Sequence, residues 1–187
     1  MEEVKHRVGL VRSLLTGSVS MGYPAFATET VFLQFRKILE LVAFASLTAN
    51  KDVYSAAYDE FATHWNAKRM LGYLEKVNPE FYPIALEPFV TTADGMKHFP
   101  ALDDGFMTKE EFVTLYNICG KVVHARNPFS TEDPVIQIGY SVEQWISRIQ
   151  KLLSVHVIAL VSGDRWVIVI PTEGKIQGCS ATPRETA

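Results

Sequence analysis

The chain has 187 residues, of which 48% are hydrophobic and 21% are charged, a balance that allows a globular domain with its own core. Its formal net charge of −3 differs from that of strongly basic nucleic-acid-binding proteins, so contact with a nucleic acid would require a local basic patch. The two cysteines, Cys119 and Cys179, form no CxxC pair, which argues against a structural zinc site and fits a reducing cytoplasm.

Hydropathy predicts no membrane contact for this chain. No apolar run reaches the length that is needed to span a bilayer. The N-terminal stretch has basic residues before apolar ones, as secretory signals do, but Arg12 interrupts its apolar part and two glutamates precede it. We therefore expect a cytoplasmic protein.

The first part of the chain is predicted to be helical. Apolar residues recur at helical spacing in three segments, residues 3–15, 29–49 and 52–77. The second segment has the widest apolar stripe, including Leu41 and Phe44, and is predicted to be the central helix. The third segment is predicted to have a break near Thr63 and to end before Pro79.

A connector rich in proline and aromatic residues follows, over residues 79–107. Connections of this length usually have a purpose. One interpretation is a loop that its aromatic side chains hold over the core; the other is a wall beside a functional site. The aromatic residues in question are Phe81, Tyr82, Phe89 and Phe99.

Two capping boxes predict where the next helices begin. Thr108 with Glu111 marks a helix over residues 108–124, and Ser141 with Gln144 marks another up to residue 153. A loop joins these helices.

After residue 153 the hydrophobic period changes from helical to extended. Two β-branched and aromatic segments, residues 155–161 and 165–171, flank a Ser-Gly-Asp turn, and residues 175–181 form a possible third strand. The predicted fold is therefore mainly α: a helical domain over residues 1–153 and a small antiparallel β-meander over 154–182. Because an isolated hairpin is marginally stable, the meander must pack on the helices or on a dimer partner.

Common catalytic signatures are missing from the sequence. There is no Walker A loop, dinucleotide-binding glycine motif, HExxH motif, GxSxG elbow or zinc-deaminase motif, and the five histidines are scattered. We therefore expect neither a metal nor another cofactor.

His124 is the best single candidate for chemistry. It closes an apolar helix, so its ring is expected at the boundary between core and solvent, where an imidazole can exchange protons near neutral pH. The alternative is that His124 only caps the last carbonyls of the helix. Lys121, Arg126 and Asn127 stand close to it in the sequence, and they would help to hold a phosphate or would belong to a solvated helix end.

Further basic residues are candidates for substrate binding. Arg36 lies on the central helix with Glu40 four residues later, which allows either a site role or a local ion pair. Lys68 and Arg69 follow Trp65, which could stack on a base or belong to the core.

The helix order and two segments of the chain resemble the HEPN family of small helical domains. The segments are ETVFLQFRKILELVAFASL as the central helix and NICGKVVHARNPF as a helix that closes on His124. The resemblance covers roughly residues 1–153, and it is nearest to bacterial HEPN-like proteins with a β-hairpin tail. It implies an all-helical domain that pairs as a homodimer and, in many members, cleaves RNA without a metal in toxin or defence systems.

The family motif is an arginine, four to six residues, and then a histidine. His124 matches the histidine, but the positions expected for the arginine hold Asn117, Ile118 and Cys119. Lys121, Arg126 or Arg36 would have to replace that arginine.

Two functions are consistent with these features. One is a metal-independent ribonuclease or RNA-binding protein of the HEPN-like type, with catalysis by His124. The other is a non-catalytic dimeric module that binds a nucleotide or a protein partner such as an antitoxin. An open basic groove around His124 would favour the first.

Overall fold

The computed structural model describes residues 1–57, 66–124, 129 and 136–181. The helices within these ranges are α1 (Glu2–Leu15), α2 (Pro24–Ala49), α3 (Lys51–Ala57), α4 (Ala67–Val77), α5 (Lys109–Val123) and α6 (Val142–Ser154). The strands are β1 (Ile84–Ala85), β2 (Val90–Thr91), β3 (Lys97–His98), β4 (Val155–Ala159), β5 (Arg165–Val169) and β6 (Gln177–Ala181). The prediction of a mainly α protein with a small antiparallel sheet is confirmed.

Helix α2 is the central element, as predicted. It packs against α1, α3, α4 and α5, and its buried stripe includes Phe35, Ile38 and Leu39. The helix begins at Pro24, five residues before the predicted start at Glu29, because proline suits the first turn of a helix. The expected inward position of Phe44 is wrong: this ring is 39% exposed. None of the described helices has the length and hydropathy needed to cross a membrane.

One hydrophobic core joins the helices. Its largest fully buried side chains include Trp145, Tyr54, Phe35, Phe81 and Phe112. Both predicted capping boxes are present, so the starts of α5 and α6 are specified locally. The predicted break near Thr63 and the position of Trp65 lie outside the described residues.

The connector contains strands that the sequence did not predict. Strand β1 pairs antiparallel with β4, with Ala85 opposite His156, so the larger sheet has four strands in the order β1-β4-β5-β6. Strands β2 and β3 form a separate hairpin. A second hydrophobic cluster joins Leu86 and Phe99 of the connector to the sheet. The connector therefore packs over the core through Phe81, Tyr82 and Phe99, which supports the first of its two interpretations. The expected role of Phe89 is wrong, because this residue is 47% exposed.

The C-terminal meander follows the prediction with shorter strands. Strands β4, β5 and β6 are antiparallel neighbours, and β4 is almost entirely buried against α6, β1 and the connector of the same chain. Of the two possibilities that the sequence left open for the meander, packing on the helical body therefore applies to β4. On β5, Trp166 is 45% exposed.

Buried His156 makes the stability of the fold depend on pH. The ring is 2% exposed, and its Nδ1 lies 3.0 Å from the carbonyl oxygen of Leu153, so Nδ1 carries the proton and donates. Burial lowers the pKa of His156 below its ordinary value of 6.5. The unfolded chain therefore takes up this proton at a higher pH than the folded chain does, and we expect stability to fall as the pH drops below about 6.5.

Denaturant unfolding between pH 8 and pH 5 measures this effect. The free energy of unfolding of the wild type should decrease over the acidic half of the range more steeply than that of His156→Leu. Parallel profiles for the two proteins would show that His156 does not cause the loss.

Candidate functional site

His124 ends α5 and is exposed. Its backbone is extended, and its N–H donates to the carbonyl oxygen of Gly120 at 3.3 Å. The imidazole itself has no hydrogen-bond partner among the residues that the structure describes. The backbone of His124 therefore closes the helix, while its side chain is available to a ligand.

The imidazole lines an open pocket of about 410 Å³ between the end of α5 and the face of α2. Val123 and His124 form the α5 side of the pocket. The α2 side consists of residues spaced one to four positions apart, which places them on one helix face: Glu29, Thr30, Leu33, Arg36 and Lys37. The packing of α2 against α5 therefore brings Arg36 and His124 to the same pocket.

Arg36 is held by several contacts. Its Nε donates to Glu40 at 3.2 Å and its Nη2 to the hydroxyl of Tyr116 at 3.1 Å, while the guanidinium carbon lies 4.7 Å from the centre of the Tyr116 ring. A β-carbon built at Gly120 would lie 3.7 Å from Nη1 of Arg36. The side chain is 18% exposed, so its position is well defined. Arg36 therefore forms the local ion pair and also lines the pocket, while its role in substrate binding stays a prediction.

The charge of the pocket is mixed. Lys37 also donates to Glu40, at 2.9 Å, so one carboxylate is shared by two cations and leaves one positive charge in excess. Glu29 adds a carboxylate at the rim. With Glu29 counted, two carboxylates balance the charges of Arg36 and Lys37, so the pocket is open but is not the basic groove that would favour RNA cleavage.

The other predicted site residues lie elsewhere or cannot be placed. Lys121 is exposed on the last turn of α5 but does not line the pocket. Lys68 and Arg69 begin α4, and Arg69 donates to the hydroxyl of Tyr73 at 3.3 Å; neither reaches the pocket. Arg126 and Asn127 lie outside the described residues.

Four pocket residues were not singled out from the sequence: Glu29, Thr30, Leu33 and Lys37. Their spacing along α2 places them on the same helix face as Arg36, and this spacing is visible in the sequence. The sequence does not show that this face meets the end of α5.

Cys119 lies on α5, the helix that ends at this site, but its thiol is buried and unreactive. Burial raises the pKa of its thiol to about 12, and the nearby positive charge of Arg36 only partly opposes this. Cys179 on β6 is exposed. We expect an aromatic disulfide reagent to modify Cys179 alone in the folded chain, and to reach Cys119 only after unfolding.

The Cys179→Ser variant is the control for this assay. It should release no coloured thiolate under native conditions and should react fully in denaturant. Rapid native reaction of this variant would show that Cys119 is accessible and contradict the assignment.

In the described part of the chain, no group of three or more histidine, cysteine or acidic residues is arranged to hold a metal ion. No protein-family model matches the chain, and no curated protein or solved structure is similar enough to be a match.

Proposed function

We propose that this protein is a HEPN-like endoribonuclease that cleaves RNA without a metal ion, at the pocket between α2 and the end of α5. The observation that carries the proposal is that Arg36 and His124, from two different helices, line one open pocket. An imidazole beside a guanidinium and an ammonium group is a combination suited to a phosphodiester.

The chemistry requires one proton to leave and another to arrive. The ribose 2′-hydroxyl attacks the adjacent phosphorus and loses its proton to a base, the bond from phosphorus to the 5′-oxygen breaks, and that oxygen receives a proton from an acid. The products are a 2′,3′-cyclic phosphate and a 5′-hydroxyl. His124 performs one of these proton transfers, and Arg36 and Lys37 stabilise the charge on the phosphate oxygens.

A second copy of the chain would supply the other proton transfer. One imidazole cannot act as base and as acid in the same step, and the HEPN resemblance implies that two such sites meet in a homodimer. In this arrangement Arg36 takes the place of the arginine that is missing at positions 117–119. A role in a bacterial toxin or defence system follows from the same resemblance.

The second candidate function is a dimeric module without catalytic activity, which binds a nucleotide or a partner protein. One observation favours it: the guanidinium of Arg36 is already paired with Glu40 and stacked on Tyr116, so less of its charge is available to a phosphate.

Incubation of the wild type with structured and unstructured RNAs in EDTA separates the two functions. We expect cleavage that leaves cyclic phosphate ends on the RNA. Light scattering should give a mass of twice the 21.0 kDa of one chain. Intact RNA across all substrates at micromolar protein would reject the nuclease and leave the binding module.

A further inference from the structure

A second groove lies between α1, α6 and the segment that follows β5. It has a volume of about 500 Å³, and none of the described residues lines both this groove and the His124 pocket. Its floor is apolar and buried, and consists of Val4, Val8, Ile149 and Leu153. The size and the apolar floor are those of small-molecule sites in proteins.

Among the described residues, the charged ones that line this groove are all basic: Lys5, Arg12 and Lys151. Lys5 is paired with Glu2 at 3.3 Å and donates to the carbonyl oxygen of Gly174 at 3.0 Å. Arg12 donates to the neutral amide of Gln150 at 2.8 Å.

Two of these cations form no close ion pair within the described part of the chain. Neither Arg12 nor Lys151 has a carboxylate partner among the residues that the structure describes, and the ammonium group of Lys151 lies beside Gly105. An apolar floor under uncompensated cations is complementary to a molecule with an apolar body and one negative charge.

Gly9 keeps the backbone of α1 open to the groove. It lies inside a helix, where glycine is about 1 kcal/mol less favourable than alanine, and a β-carbon built on it would meet no atom within 4 Å. A ligand can therefore approach the helix closely at this point.

From these features we infer that the groove binds a small amphipathic carboxylate, such as a medium-chain fatty acid, as a free molecule. The alkyl chain of this ligand lies on Val4, Val8 and Leu153, and its carboxylate pairs with Arg12. Lys5 and Lys151 add positive potential without having to contact the ligand. This site is independent of RNA binding at His124.

Calorimetry with decanoate, decanol and acetate tests the chemistry of the site. Decanoate should bind, decanol should bind at least about tenfold more weakly because it has no charge for Arg12, and acetate should not bind because it has no chain. Equal binding of decanol and decanoate would overturn the proposal. So would binding to phosphatidylglycerol vesicles with no binding of decanoate, since that would identify a lipid surface as the ligand.

Two variants test the position of the site, one by removing a charge and one by filling the groove. Arg12→Gln removes the charge and should weaken decanoate binding about tenfold or more, with a smaller effect on decanol. Gly9→Leu fills the groove and should weaken both ligands. Gly72→Leu is the matched control, because Gly72 is also an exposed helix glycine with no atom near its β-carbon position. An unchanged affinity in Arg12→Gln, or equal losses in the two glycine variants, would reject the assignment.

Discussion

Replacing His124 by alanine is expected to lower the rate of RNA cleavage by about a hundred- to ten-thousand-fold, the usual cost of losing a positioned acid–base group. The melting temperature should hardly change. The imidazole is exposed and has no hydrogen-bond partner in the described residues, and the helix-closing bond to Gly120 uses the backbone N–H, which alanine retains. Cleavage in EDTA and a melting curve, measured for both proteins, provide the comparison.

His6→Ala is the control, because His6 is an exposed histidine on a helix that does not reach the pocket. It should cleave RNA at the wild-type rate. If His124→Ala cleaves as fast as His6→Ala, the imidazole is not part of the reaction and any activity lies elsewhere. If His124→Ala instead loses about 1 kcal/mol of stability with no change in rate, its role is that of a helix end.

The Glu111→Gln substitution is expected to lower the free energy of unfolding by about 2 kcal/mol. This is a large loss for a single change outside the apolar core. The carboxylate of Glu111 accepts from Arg148 through Nε at 3.0 Å and Nη2 at 2.8 Å, and from the hydroxyl of Tyr140 at 2.9 Å. It also closes the capping box with the backbone N–H of Thr108 at 3.0 Å. Glutamine can keep the cap, but it removes the carboxylate that pairs with the half-buried Arg148 in the described structure.

Glu110→Gln is the matched control, since Glu110 is the preceding residue in the same helical turn and is exposed. It should change the free energy of unfolding by much less than Glu111→Gln. Chemical denaturation of the three proteins at pH 7 measures the difference. Equal effects of the two substitutions would show that Glu111 stabilises the fold only as a first-turn acid and not through Arg148.

Features that depend on neighbours in the sequence were predicted well. The capping boxes at Thr108 and Ser141, the end of the second helical segment at residue 49 and the turn before Arg165 are all local, because each is formed by residues a few positions apart. The same holds for the stripe that buries α2 and for the change of period that begins the sheet. His124 at an exposed helix end follows in the same way from where an apolar pattern stops.

Other features required the folded chain. Strand β1 has only two residues, too few for any period to show, and it forms because β4 offers it an edge. The exposure of Phe44 depends on which sides of α2 its neighbouring helices cover.

The composition of the candidate site also required the folded chain. Arg36 and His124 are remote in sequence, and only the packing of α2 on α5 places them on one pocket. The sequence determined the local elements and which residue types were available to the site. The tertiary structure decided which of these residues meet, because contacts between distant segments depend on the complete packing and not on spacing along the chain.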